Sequence, residues 1–219
     1  MIWNWEFAAD VLPEILRGLG TTLSAVCWGM LGALVLGLVW AIGRRSSSRG
    51  VAWPIAAMVE FVRSTPLLVQ IFFLFYVLPN FGISLSPFVT GVFALALHYS
   101  CYTAEVYRAG IEAVPVGQWQ AAVALNLSPW QTYRHVVLPQ AIPPIVPALG
   151  NYLIAMFKDT PMLSAITVLE ILQRAKIVGK ETFRFLEPFT IVGAVYLVLS
   201  LVSGFGISWL ERRMKLNHR

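Results

Sequence analysis

Hydrophobic positions run along this chain in blocks too long and too clean for a surface that faces water. Thr21–Ile42 holds no charged residue, and Pro188–Leu210 is equally free of charge. At ~1.5 Å of rise per helical residue, each block can cross ~30 Å of hydrocarbon. From Ser64 to Ala104 no Asp, Glu, Lys or Arg occurs. That stretch exceeds one crossing, and the turn-rich PNFGISLSP at Pro79–Pro87 divides it in two. A further region, Ala141–Phe157, is apolar but carries Pro143, Pro144 and Pro147; Lys158-Asp159-Thr160-Pro161 interrupts it and Met162–Leu172 resumes. Broken helices persist at membrane depth where they line a cavity or pack within protein. The pattern predicts an all-α integral membrane fold with about five crossings.

Ahead of the first block, Phe7, Val11, Ile15 and Leu19 recur at helical spacing opposite Glu6, Asp10 and Arg17, with Trp3 and Trp5 before them. This is the pattern of an amphipathic helix lying at the membrane interface, and equally of an extension of the first crossing. The segment has no basic start of the kind that opens a cleaved signal peptide.

Composition agrees with lipid as the solvent. The chain is 58% hydrophobic and only 12% charged, about half the usual ~25% of a soluble domain. Its net charge of +5 is split among loops, which argues against nucleic acid as a partner. Arg44, Arg45 and Arg49 follow the first block, and Arg212, Arg213, Lys215 and Arg219 follow the last. The positive-inside rule puts both clusters in the cytoplasm, hence the N-terminus outside and the C-terminus inside. Val168–Glu187 then falls outside, with Arg174, Lys176, Lys180 and Arg184 nearly balanced by Glu170, Glu181 and Glu187. Cys27 and Cys101 lie in apolar blocks and His98, His135 and His218 stand apart, so no metal set is expected.

One segment between the apolar blocks is different in kind. In Gln120–Pro139, QAAVALNLSPWQTYRHVVLP, the first six residues favour a short helix. Asn126 can close it in the left-handed conformation. Ser128-Pro129 opens a second helix, and Leu138-Pro139 ends the motif. This elbow presents Ala121, Ala122 and Leu125 on a small apolar face with nothing of the chain evidently available to cover it.

The segment resembles the EAA loop of ABC importer permeases, with Gln120, Ala121, Ala122, Asn126, Val136, Leu138 and Pro139 at the family's motif positions. It departs from the family at Gln120, where a Glu is usual, and at Asn126, where a Gly is usual. Phe61–Pro79, Tyr102–Ala122 and Leu138–Ile166 are similar, in the same order, to blocks of permeases of the polar amino acid type. The resemblance implies a type I ABC importer transmembrane domain in the bacterial cytoplasmic (inner) membrane. It also implies a dimeric core with an identical or similar second permease subunit, a cytoplasmic ABC ATPase dimer and an extracytoplasmic solute-binding protein. The chain then divides into an N-terminal segment 1–18, a permease domain 19–212 containing the elbow 120–139, and a basic tail 213–219.

Independent features fit. No G-x-x-x-x-G-K-[ST] occurs; Gly179-Lys180 is followed by Glu181, and Arg174 stands where the first Gly belongs. ATP and Mg are therefore expected in the partner ATPase, with no cofactor bound here and no enzymatic activity of the chain itself. Gly29, Ala33 and Gly37 form a small-residue stripe suited to close packing, within the subunit or against a second one.

A charge at the bilayer centre costs about 2.5–3.5 kcal/mol on insertion scales, so each needs a reason. Arg63 can snorkel to the cytoplasmic surface or pair with Glu60; Glu105 and Arg108 are spaced for an intrahelical pair. Lys158 and Asp159 can satisfy each other or face a zwitterionic solute. The candidate substrate path is Arg63, Glu105, Lys158, Asp159 and Thr160. Polar amino acids are the solutes the resemblance implies, with a compatible solute such as ectoine as the variant. An ion-coupled secondary transporter and a non-transporting scaffold are the alternatives; the absence of an internal duplication speaks against the first.

Overall fold

The computed structural model describes residues 2–216, with side chains through residue 213. Of the basic tail expected at 213–219, most side chains therefore lie outside the described residues. All regular structure among the described residues is helical.

Helix α1 (Trp5–Leu16) starts at Asn4, whose side chain accepts a hydrogen bond from the Phe7 N–H. A single residue, Arg17, separates it from α2 (Gly18–Arg44). Helix α3 (Arg49–Arg63) meets α4 (Leu67–Phe72), which continues as a π turn (Phe73–Val77) and a 3-10 turn (Leu78–Phe81). Then come α5 (Pro87–Glu112), α6 (Val116–Ala124), α7 (Pro129–Thr132) with a π turn (Tyr133–Val137), and α8 (Leu138–Asp159). A 3-10 segment (Thr160–Ile166), α9 (Ile171–Thr182) and α10 (Leu186–Leu216) complete the chain.

Three helical runs among the described residues are long and apolar enough to cross a membrane: Trp5–Arg44, Pro129–Ile166 and Leu186–Arg213. Arg49–Arg63 with Leu67–Phe81 passes as a fourth, bent by 105°. The fifth expected crossing, α5, has the length but not the uniform apolarity. His98, Tyr99, Ser100 and Thr103 interrupt it, all four buried, because α5 is the central helix and faces protein.

Helix–helix contact in lipid gains little from hydrophobicity, so closeness of packing decides which faces meet. The small-residue stripe of α2 meets α5 of the same subunit. A Cβ on Gly37 would fall 2.0 Å from Thr103 Oγ1, and Thr103 Oγ1 itself donates to the Ala33 carbonyl at 2.8 Å. Next to this seam lies the main core, with Ala25, Ile71, Leu95, Met156, Leu163 and Ile166 fully buried. A second cluster joins Val11 and Ile15 of α1 to Ile171, Ala175 and Val178 of α9 and Val192 of α10. The apolar stripe of the N-terminal segment is thus covered by protein, and its helix runs on toward the first crossing. Gly18 lets that junction approach α9, since a Cβ there would sit 2.6 Å from the Ile171 nitrogen.

The interruption expected at Lys158–Pro161 begins at Thr160 and runs through the 3-10 segment to Ile166, closed by Thr167 at φ +63°, while α8 continues through its three prolines to Asp159. Val168–Glu187 is not a plain loop, because α9 occupies most of it.

Candidate functional site

The elbow is built by local geometry that its residue types dictate. Asn126 sits at φ +56°, in the left-handed region that Asn tolerates better than other side-chain-bearing residues. The Leu127 N–H donates to the Ala122 carbonyl at 3.0 Å and the Asn126 N–H to Val123 at 2.9 Å, a Schellman closure of α6. Ser128 and Gln131 then form a capping box that starts α7. Trp119 packs edge-on against Tyr133 at 5.5 Å, and Gln140 donates to Gln118 at 3.3 Å, which seats α6 on the turn leading into α8. These contacts join α6 to the run that continues into a crossing helix.

The face the elbow presents differs from the expected one. Ala122 is 1% exposed and turned into its own chain, so it does not stand on an open apolar face. The exposed apolar side chains are Val116, Val123 (77%), Leu125 (73%) and Trp130, with Gln120, Ala121 and Asn126 beside them. Val116 and Val123 lie seven residues apart, two helical turns on one stripe, a period legible in the sequence but overlooked beside the alanines. Leu138 and Pro139 are exposed where α8 begins, next to the buried Val137.

The second assembly lies between α4, α5 and α8. Tyr99 donates its hydroxyl to Asp159 Oδ2 at 2.6 Å. The rings of Tyr99, Tyr102 and Tyr152 adjoin, with centroids 5.4–6.3 Å apart. The Arg63 guanidinium lies 5.4 Å from the Tyr102 ring centre and 3.6 Å from Glu60, and its Nε is buried with no hydrogen-bond partner. His98 Nδ1 lies 3.1 Å from Gln70 Oε1, and Gln70 Nε2 donates to the Val62 and Thr65 carbonyls at 2.7 and 3.1 Å. One side chain thus holds the 105° bend and ties it to α5. Pro66 contributes too, because the residue before a proline is driven from the helical region.

Of the expected path residues, Arg63, Asp159 and Thr160 belong to this neighbourhood. Lys158 is exposed and Asp159 turns inward to Tyr99, so the two charges do not satisfy each other. Glu105 is engaged elsewhere: one oxygen pairs with Arg44 of α2 and the other with Arg108. The Tyr99, Tyr102, Tyr152, Gln70 and His98 contributions went unnoticed in the sequence. Their signal is polar and aromatic side chains inside a run with no formal charge. Among the described residues no group of three or more His, Cys, Asp or Glu is placed to hold a metal.

Helices long and apolar enough to cross a membrane, with a helical elbow leading into one of them, have the layout of a polytopic membrane protein. The family of binding-protein-dependent transport system inner membrane components matches residues 33–216, and the chain belongs to it. A probable amino-acid ABC transporter permease protein, y4tG of Sinorhizobium fredii, is 52% identical over 90% of this chain and 85% of its own. The glutamine transport system permease protein GlnP of Escherichia coli is 32% identical over 99% of this chain and 100% of its own. The crystal structure of an amino acid ABC transporter with histidines superposes with a TM-score of 0.93 at 35% identity, covering 97% of this chain and 100% of that one. The methionine transporter MetNI, at 19% identity and a TM-score of 0.73, shares the fold. The chain is an inner-membrane permease subunit of an ABC importer, not an enzyme; in this family ATP hydrolysis belongs to a separate subunit.

Proposed function

We propose that this subunit carries amino acids across the membrane and is driven through α6, which docks its Val116, Val123 and Leu125 face on a cytoplasmic ATPase dimer. The observation that carries the reading is that apolar face, exposed on a helix otherwise locked to the crossing helix α8. Gln120 and Asn126 border it, Ala122 supports it from within, and Leu138-Pro139 set where α8 begins. ATP and Mg are bound by the partner. The basic flanks support an N-terminus outside and a C-terminus in the cytoplasm, which puts the elbow inside and α9 outside, facing a solute-binding protein. A second permease subunit, identical or similar, completes the core. In this reading the chain divides into an N-terminal segment 1–18, a permease domain 19–212 and a basic tail 213–219.

The solute path runs past Asp159, the tyrosine wall and Arg63, with Lys158 and Thr160 at the helix break. A carboxylate for an ammonium and a guanidinium for a carboxylate, separated by aromatic rings, match the two ends of an amino acid. The amino-acid permeases among the relatives favour this class over ectoine. Glu105, with both oxygens taken by arginines, serves instead as a tether between α2 and α5.

The test is Leu125→Asp in the full complex. Copurification of the ATPase and ATP-driven uptake of a radiolabelled mixture of L-amino acids should both be lost, while the permease still inserts. Normal copurification with normal uptake would overturn the docking face.

A further inference from the structure

Thr160 follows Asp159 directly and begins the 3-10 segment. It is fully buried, and its hydroxyl lies 2.8 Å from the Phe157 carbonyl and 3.0 Å from the Tyr196 hydroxyl of α10. Tyr196 in turn donates to Glu170 Oε2 at 2.9 Å. Glu170 is 0% exposed, and its carboxylate also accepts the N–H groups of Leu172 at 2.8 Å and Gln173 at 2.6 Å, which caps α9. Burial holds this carboxyl above the usual carboxylate range, against the pull of those same hydrogen bonds.

A twelve-residue helix does not need a buried glutamate for a cap; Ser, Asp or Asn serve without hiding a long charged side chain. What Glu170 adds is reach. The Tyr196 proton is committed to the carboxylate, and the single Thr160 proton is shared between the Phe157 carbonyl and the Tyr196 oxygen. The start of α9 is thereby linked, side chain by side chain, to the residue that follows Asp159. On the outer side α9 is anchored again, by Arg174 to Glu14 of α1.

We propose that Glu170, Tyr196 and Thr160 are positioning residues that fix Asp159 relative to α9, so that transport depends on the seating of this helix. The proposal rests on the reading of Asp159 as part of the solute path. A loosened relay lets the nucleotide cycle run without delivering solute, so its signature is the ratio of solute imported to ATP hydrolysed. A purely structural role lowers the amount of active complex and leaves that ratio unchanged.

The experiment uses the complete complex of permease, ATPase and binding protein in proteoliposomes, with a radiolabelled mixture of L-amino acids as the probe. Tyr196→Phe keeps the ring and removes the hydroxyl. It should lower the transport-to-ATP ratio about fivefold, the scale of one hydrogen bond, with complex yield and ATPase rate retained. Thr160→Val breaks the other end of the same link and should do the same, and it stands in should Tyr196→Phe not assemble. Combined with Asp159→Asn, Tyr196→Phe should add no further loss. An impaired Asp159→Asn beside an unchanged Tyr196→Phe overturns the relay alone, as do penalties that multiply. An unaffected Asp159→Asn overturns both the relay and the path.

Discussion

Tyr99 of α5 and Asp159 of α8 are joined by a 2.6 Å hydrogen bond at the point where α8 gives way to a 3-10 turn. The bond places an acidic group at the end of a proline-bearing helix, against a wall of three tyrosines. Replacing Asp159 with Asn should lower ATP-driven amino-acid uptake by tenfold or more, the scale of a hydrogen bond to a charged group, about 1.5–3 kcal/mol. Tyr99→Phe should have a smaller effect in the same direction. Copurification with the ATPase should be unchanged in both. Wild-type uptake by the Asp159 variant would remove the residue from the path.

Asn126 tests the elbow's shape apart from its contacts. At φ +56° a β-branched residue is strained by roughly 1–2 kcal/mol, whereas Gly is not. Asn126→Val should weaken ATPase copurification, and Asn126→Gly should preserve it. Equal behaviour of the two variants would show that the left-handed closure is not needed for docking.

Gln70 holds the bend between α3 and α4 through the carbonyls of Val62 and Thr65. Gln70→Leu strips both of that partner and leaves His98 without its contact. The purified permease should lose about 0.5–1.5 kcal/mol of stability, the net range for a hydrogen bond, because the Val62 carbonyl keeps Thr65 Oγ1 at 3.1 Å. Thermal unfolding in detergent reads this as a lower midpoint; an unchanged midpoint would mean that Pro66 alone maintains the bend.

Glu105 separates anchoring from transport. Glu105→Gln leaves Arg44 without its carboxylate in a partly buried site and Arg108 with Glu112 alone. The expected cost is about 1–2 kcal/mol, below the range for fully buried pairs because solvent still reaches the group. Yield of the folded subunit should fall while uptake per assembled complex stays constant. A fall in uptake per complex would return Glu105 to the solute path.

Much of this architecture is legible in one dimension because lipid imposes a simple rule. Charge-free runs mark the crossings, and Asn126, Ser128 and Pro129 announce the elbow through their own backbone preferences. The cluster proposed as the solute path was only half visible: Asp159 and Arg63 stood out as charges, whereas Tyr99, Tyr152 and Gln70 acquire meaning only from one another. Ala122 illustrates the limit. Its place in a recognisable motif said that it mattered, but not that it faces inward while Val123 faces out.

The sequence by itself determined the solvent, the approximate layout of crossings, the elbow and its kinship with importer permeases, because hydropathy, turn chemistry and motif order are properties of neighbouring residues. Tertiary structure alone decided which side chains meet: Gly37 against Thr103, Glu105 between two arginines, Glu170 beneath Tyr196. Those pairings join residues distant in the chain, and they follow from how closely whole helices pack, which no local pattern encodes.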